Sequence, residues 1–312
     1  MDISTQKIKN NKEKEIYNNI DTLNRILWDG KVLKPTIIDW LSNFKGEDEK
    51  KQALYLLSKY MYFNQASIRY LLKALYRDKY RTPIIQEIRA MNNGIIDETV
   101  IESAFKTRLN STRFLGVGNP SESGNHLLYH FRQENNLPVS LFVTVDDLIR
   151  SCDGLEHVVF VDDLCGSGSQ VESDKTLNMC IRTLRKNNHF PKFSYLMLLG
   201  TVKGINKIRI LVDDYGRKLL DEVEAEMELN DSYKCFSNSS RYFDNKEEKT
   251  NTMEMCLKYG KKLVKKESHA LGYGNCQLLL SLQHNTPNNT LPIFWFDNKD
   301  WKPIFRRHNK VY

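Results

Sequence analysis

The chain has 312 residues, 40% hydrophobic and 27% charged, with 15 glycines and 8 prolines. That length allows about two domains and a core that needs no disulfide or metal staple. The composition excludes collagen-like, linker-like and wholly disordered proteins. With 46 basic and 39 acidic residues the formal charge is +7, which permits an anionic partner without demanding one. No apolar run reaches the ~18–20 residues of a membrane helix. The opening Met1-Asp2-Ile3-Ser4-Thr5-Gln6-Lys7 lacks the apolar stretch of a secretory signal. Six scattered cysteines form neither a C-x-x-C pair nor a zinc-ligand spacing. The expectation is a cytoplasmic chain with free thiols, no membrane contact and no protein-bound zinc.

The first third reads as helix throughout. Ile16, Ile20, Leu23 and Leu27 recur at helical spacing and stop before Gly30. A second helix starts near Pro35 and carries Ile38, Trp40 and Leu41. Leu54, Leu57 and Met61 form a third stripe, and Ile68, Leu71, Leu72 and Leu75 a fourth. After Pro83, Ile84, Ile88 and Met91 run to Asn93-Gly94, a C-cap sequence. Val100, Ile101, Ala104 and Phe105 mark one more helix. No strand-like alternation precedes Asn110, so residues 1–108 are expected to form an all-α N-terminal module.

The pattern changes near Ser111. Residues 113–117, 141–145, 158–161, 195–199 and 208–212 are short apolar runs read as strands. Helices are read at 123–131 and around Leu177, Ile181 and Leu184. Near-continuous apolar strands separated by helices predict an α/β domain over 109–312, a mostly parallel sheet flanked by helices on both faces. Residues 231–251 are polar and read as an insertion, the segment most prone to disorder. A helix bearing Lys258, Lys261, Lys262, Lys265 and Lys266 follows, read as a solvated face. Leu278–Leu280 and Pro292–Trp295 read as late strands, and 301–312 as a basic tail.

The most informative stretch is His157-Val-Val-Phe-Val-Asp162-Asp163-Leu164-Cys165-Gly166-Ser167-Gly168-Ser169-Gln170. A buried strand ends in two acids, a loop of small residues follows, and a helix is expected after it. Loops at the carboxyl ends of parallel strands are where α/β folds bind ligands. Gly166 and Gly168 let backbone N–H groups approach a phosphate, and Ser167 and Ser169 add hydroxyl donors. Asp162 and Asp163 suit sugar hydroxyls, or waters on a cation. Two acids at a strand end are not specific by themselves, because Asp146-Asp147 and Asp213-Asp214 also end apolar runs. Only the Asp162 pair precedes a Gly/Ser loop. Cys165 reads as a small loop residue, since no base is placed to make it a nucleophile.

Val-Phe-Val-Asp-Asp-Leu-Cys-Gly-Ser-Gly-Ser resembles the phosphoribosyl pyrophosphate (PRPP) signature of type I phosphoribosyltransferases. That resemblance implies Asp162 and Asp163 on the ribose hydroxyls, as the catalytic pair. It implies Leu164, Cys165, Gly166, Ser167, Gly168, Ser169 and Gln170 around the 5′-phosphate. Ser167 and Gly168 match the first two positions of the phosphate turn. Ser169 stands where the family usually has a second Gly, and Gln170 where it usually has Thr. Upstream, Gly116-Val117-Gly118-Asn119 joins a strand to a helix, where such enzymes hold pyrophosphate, with Mg2+ as the accompanying cation.

The chain as a whole, over 111–301, resembles the phosphoribosyltransferase-like conflict-effector family. Gly-Val-Gly-Asn, Ser-Gly-Asn-His-Leu-Leu-Tyr-His-Phe-Arg-Gln and His284-Asn-Thr-Pro-Asn-Asn-Thr-Leu-Pro292 carry that likeness. The family implies an effector in bacterial anti-phage systems, some in retron operons, with a partner protein from the same operon. Asn285, Thr286, Asn288 and Asn289 offer amides and hydroxyls that could read a base edge, or cap a turn by local hydrogen bonds. Three functions compete: a PRPP- or nucleotide-using enzyme, a non-catalytic nucleotide sensor signalling to a partner, and a nucleic-acid module using the lysine helix and basic tail. No reader motif supports the third.

Overall fold

The computed structural model describes residues 3–117, 123–173 and 175–308. In chain order the elements are α1 (Ile3–Ile26), α2 (Lys34–Leu41), α3 (Glu47–Leu57), β1 (Met61–Phe63), α4 (Gln65–Leu75), a π-helical turn (Tyr76–Arg81), α5 (Thr82–Met91) and α6 (Glu98–Asn110). Next come β2 (Thr112–Gly116), α7 (Ser123–Glu134), α8 (Val145–Arg150), β3 (His157–Cys165), α9 (Ser169–Ser173), α10 (Lys175–Lys186), β4 (Lys192–Thr201), α11 (Val202–Arg209) and β5 (Glu222–Leu229). The chain ends with α12 (Lys246–Leu263), β6 (Leu280–Leu282) and α13 (Pro292–Trp295). None of the helices among the described residues is long and apolar enough to cross a membrane.

Two compact units emerge: Ser67–Leu229, and Met1–Ala66 together with Asn230–Tyr312. These are other lines than the 1–108 and 109–312 division expected from the sequence. The reason is non-local pairing that periodicity does not register. Met61–Phe63 pairs in parallel with Leu280–Leu282, so the first helices and the last third share one core. That core is aromatic: Trp40 stacks on Phe294 at 5.3 Å between centroids, Tyr60 on Phe305 at 4.3 Å. The Trp40 indole N–H donates to the Ile293 carbonyl at 2.7 Å.

The unit Ser67–Leu229 is α/β, as expected. Its sheet has the order β2-β3-β4-β5, every pair parallel. Side chains alternate across a strand, so one face carries Leu115, Phe160, Tyr195, Met197 and Val223. They pack with Leu148 of α8, Leu177, Ile181 and Leu184 of α10, and Ile205 and Ile208 of α11. On the other face Phe114 meets Phe131 of α7 and Tyr80 of the π-helical turn, which itself packs edge-on to Phe105 of α6.

Several local expectations need correction. Met61 lies in a strand, not in a helical stripe. Residues 141–145 form no strand: one bridge, Phe114 to Phe142, is followed by α8, whose Thr144 hydroxyl caps the Asp147 N–H at 3.2 Å. Residues 208–212 end α11 and enter a hairpin closed by Asp213 N–H to the Arg217 carbonyl at 2.8 Å. Pro292–Trp295 is a single helical turn, begun by a proline whose fixed φ suits N1. The polar stretch 231–251 is anchored, not loose, because Cys235, Phe236 and Tyr242 are buried in its unit's core. Asn245 then caps α12 by accepting from the N–H groups of Glu247 and Glu248.

Candidate functional site

β3 is an interior strand, with β2 on one side and β4 on the other. Its run of four apolar residues, Val158 to Val161, ends in Asp162, which faces the same side of the sheet as Tyr195 on β4. Asp162 is 4% exposed. Its Oδ2 accepts from the Tyr195 hydroxyl at 2.5 Å and its Oδ1 from the Asp163 N–H at 2.8 Å. Complete burial and the neighbouring Asp162 charge push Tyr195 well above its usual pKa, so its phenol remains a donor across the accessible pH range. Asp163 is next along the strand, so its side chain leaves on the opposite face, half-buried. The pair is thus divided: one carboxylate is fixed inside, and the other is nearer to solvent.

The loop after β3 is close-packed on its inner side. Leu164, Cys165, Gly166 and Gly168 are buried, Ser167 and Ser169 half-buried, and Gln170 exposed. Gly168 has φ +74°, which only glycine adopts without strain. The Ser169 N–H donates to the Ser167 hydroxyl at 3.4 Å. The expected helix follows the loop and is described over Ser169–Ser173 and again from Lys175. Backbone N–H groups at its start, the serine hydroxyls and a side-chain charge are all at hand for an anion.

That charge comes from an element the sequence reading missed. Thr201, at the end of β4, accepts the Gly204 N–H at 2.9 Å and donates its own hydroxyl to the Gly166 carbonyl at 2.5 Å. It thereby caps α11 and ties it to the loop. Gly204 makes that approach possible, since a Cβ there would lie 2.3 Å from the Gly166 oxygen and 2.9 Å from the Cys165 sulfur. One turn on, the Lys207 ammonium reaches the Ser169 hydroxyl at 3.3 Å and the Glu172 carboxylate at 2.6 Å. Thr201-x-x-Gly204 was the available signal: a capping hydroxyl three residues before a small helical residue.

The upstream loop begins beside this one. Gly116 pairs with Val161, and the Val117 N–H donates to the Val161 carbonyl at 3.3 Å. Gly116 and Val117 thus leave β2 at the same edge where β3 delivers its acids. Gly118 and Asn119 lie outside the described residues.

The late loop belongs to the other unit, where its polar groups serve its own backbone. Asn285 donates to the His308 carbonyl and accepts its N–H, at 3.3 and 2.9 Å. The buried Thr286 hydroxyl meets Ser281 at 2.7 Å and the Arg306 carbonyl at 3.1 Å. Asn289 donates to the Tyr273 carbonyl at 3.1 Å, and the Asn288 carbonyl accepts from the Tyr273 N–H at 2.8 Å. These bonds tie the loop to residues 273, 281, 306 and 308 of the same unit.

The other acid pairs serve structure too. Asp147 lies in the first turn of α8. Burial disfavours the Asp213 charge, but the N–H groups of Arg217 and Tyr215 and the guanidiniums of Arg217 and Arg185 outweigh it and hold the carboxyl at about 2. Several cations of the nucleic-acid reading are also paired: Lys258 with Glu49 at 2.5 Å, Lys261 with Glu267 at 3.0 Å, and Lys302 with Asp39 at 2.7 Å.

No curated protein and no solved structure matches the chain significantly. A family model does. The model described as PRTase-CE aligns with residues 37–307, taking in the acid pair, the Gly/Ser loop, α11 and the late Asn-rich loop. The parallel sheet with Asp162-Asp163 at a strand end, and a match that runs through both units, lead to one assignment: the chain belongs to the PRTase-CE family, with a phosphoribosyltransferase-like fold.

Proposed function

We propose that the protein is a PRPP- or nucleotide-binding effector of a bacterial antiviral defence system, acting on nucleotides with Mg2+. The observation that carries this reading is the parallel register of Gly116 with Val161. It brings the exits of two Gly-containing loops together at the carboxyl edge of the sheet, where α/β folds take phosphorylated ligands. In this reading Asp163 and Asp162 hold the ribose hydroxyls. Tyr195 and the Asp163 N–H keep Asp162 from turning away. Backbone N–H groups from Cys165 to Gln170, with the Ser167 and Ser169 hydroxyls, hold the 5′-phosphate. The Gly116 loop takes the pyrophosphate. When pyrophosphate leaves, positive charge grows on the anomeric carbon, and two nearby carboxylates favour that change.

Apart from the buried Cys165, the side-chain donors here are hard oxygens, the Asp163 carboxylate and the Ser167 hydroxyl among them, and suit Mg2+ rather than zinc. Bound with the ligand, the cation would neutralise pyrophosphate charge. The antiviral role, and a partner protein from the same operon, follow from family membership and are proposed on that ground.

The test is calorimetric titration of PRPP with magnesium into the wild type and into Asp162→Asn/Asp163→Asn. Binding to the wild type that vanishes in a folded double variant is the expected outcome. No binding to the wild type overturns the reading. A second reading, a nucleotide sensor without turnover, is favoured by the exposed Gln170 and by Ser169 in a turn where the related enzymes carry Gly and Thr. Ligand affinity without consumption of PRPP over hours would select it.

A further inference from the structure

The Lys207–Glu172 ion pair joins α11 to the helix that leaves the loop. Both side chains are substantially exposed, 38% and 54%, and exposed ion pairs contribute little to stability. The base of Lys207 is nevertheless placed against the loop. Gly168 faces α11 so closely that a Cβ on it would lie 2.9 Å from the Gly204 carbonyl and 3.4 Å from the Lys207 Cβ. The stem of Lys207 therefore lies against the turn of the loop, and its ammonium meets Ser169. Glu172, in the helix that leaves the loop, supplies the opposing carboxylate. Lys203, on the same helix, is exposed and makes no such approach among the described contacts.

We propose that Lys207 is the cationic ligand of the 5′-phosphate, and that Glu172 is an internal anion occupying it until a phosphate displaces the carboxylate. This rests on the phosphoribosyl reading of the loop and deepens it. Lys207 stands beside Ser169, which with the next residue, Gln170, is where the chain departs from the usual Gly and Thr. A point charge there replaces the lost hydroxyl donor. The exchange also selects ligands. A dianionic phosphomonoester competes with one carboxylate for the ammonium, whereas an unphosphorylated ribosyl compound offers nothing in return. The substrate class is thus a ribosyl 5′-phosphate, and a nucleoside is refused.

The experiment measures dissociation constants for PRPP and for ribose 5-phosphate, with magnesium, on the wild type and on Lys207→Ala, Glu172→Gln and Lys203→Ala. Thermal unfolding serves as the check on folding. Lys207→Ala is expected to weaken both ligands about tenfold, the loss of one charge-assisted contact. Glu172→Gln is expected to tighten both several-fold by freeing the ammonium. Lys203→Ala should match the wild type. If Lys207→Ala binds as the wild type does, or weakens no more than Lys203→Ala, the inference is wrong while the phosphoribosyl reading stands. If Glu172→Gln weakens binding in a folded protein, the displaced-anion role is wrong. If the wild type binds neither compound, both the inference and the reading beneath it fall.

Discussion

Replacing Gly204 by alanine tests how the candidate loop is built. In an exposed helix interior, Gly→Ala stabilises by about 1 kcal/mol through backbone entropy. Here the added Cβ would lie 2.3 Å from the Gly166 oxygen, 2.9 Å from the Cys165 sulfur and 3.1 Å from the Gly166 carbonyl carbon. Ordinary contact begins near 3.4 Å, so helix and loop must part by about 1 Å. The closest neighbour is backbone, not a flexible side-chain end, so a rotamer change cannot absorb the clash. Overpacking of this kind costs about 3 kcal/mol. For a unit of this size that lowers Tm by about 6–12 °C, and PRPP affinity should fall with it as Gly166 moves. Gly216→Ala is the control. Its φ is +74° but nothing lies within 4 Å of the added carbon, so only about 1 kcal/mol of backbone strain applies. Differential scanning calorimetry of the three proteins gives the answer. A Gly204→Ala variant as stable as the wild type, or more so, would refute the close approach of α11 to the loop.

Three further outcomes follow from the same geometry. Tyr195→Phe removes the donor to Asp162 Oδ2 and should cost about 1.5–3 kcal/mol in urea unfolding, and a variant within 0.5 kcal/mol of the wild type, roughly the effect of a surface change, would deny that bond its importance. His157, bonded to Ser194 at 2.7 Å, is pushed down to about 4 by burial and then by Lys192. A base whose folded pKa is depressed gives stability above its unfolded value of about 6.5 and loses it as pH falls toward 4. That loss is about 3 kcal/mol, so the wild type should weaken relative to His157→Gln between pH 6.5 and 4 by that amount. Parallel stability curves for the two proteins would contradict it. Asp163→Asn should abolish PRPP binding with little change in Tm, because its side chain is only half-buried, whereas Asp162→Asn should lower both. Equal Tm losses would show the two acids to be equivalent.

The sheet's central strand was legible because its whole apolar run is buried on both faces and ends in a polar pair. The same signal misled at 208–212, where Ile208 is the last buried apolar residue of α11 and Leu211 follows in the turn beyond its end, so they are not successive strand positions. β5 carries a strand period in its sequence, Glu222, Glu224, Glu226 and Glu228 against Val223, Ala225, Met227 and Leu229, but four acids in eight residues mask it as a polar segment. β1 and β6 are three residues each, below the length at which a period of two can be recognised. Their pairing joins residues more than two hundred apart, which no local pattern encodes. At the site, the acids and glycines of the loop were readable as chemistry. Thr201, Gly204 and Lys207 were not, because they matter through a close packing that depends on where α11 lies.

The central claim is that the loop after β3, together with α11, receives a phosphoribosyl ligand. Hydrogen–deuterium exchange of the full chain, with and without PRPP and magnesium, locates binding without assuming a reaction. Protection confined to peptides covering 114–117, 162–170 and 201–208 is the predicted result. Protection elsewhere with these peptides unchanged, or no protection at saturating PRPP, would contradict it.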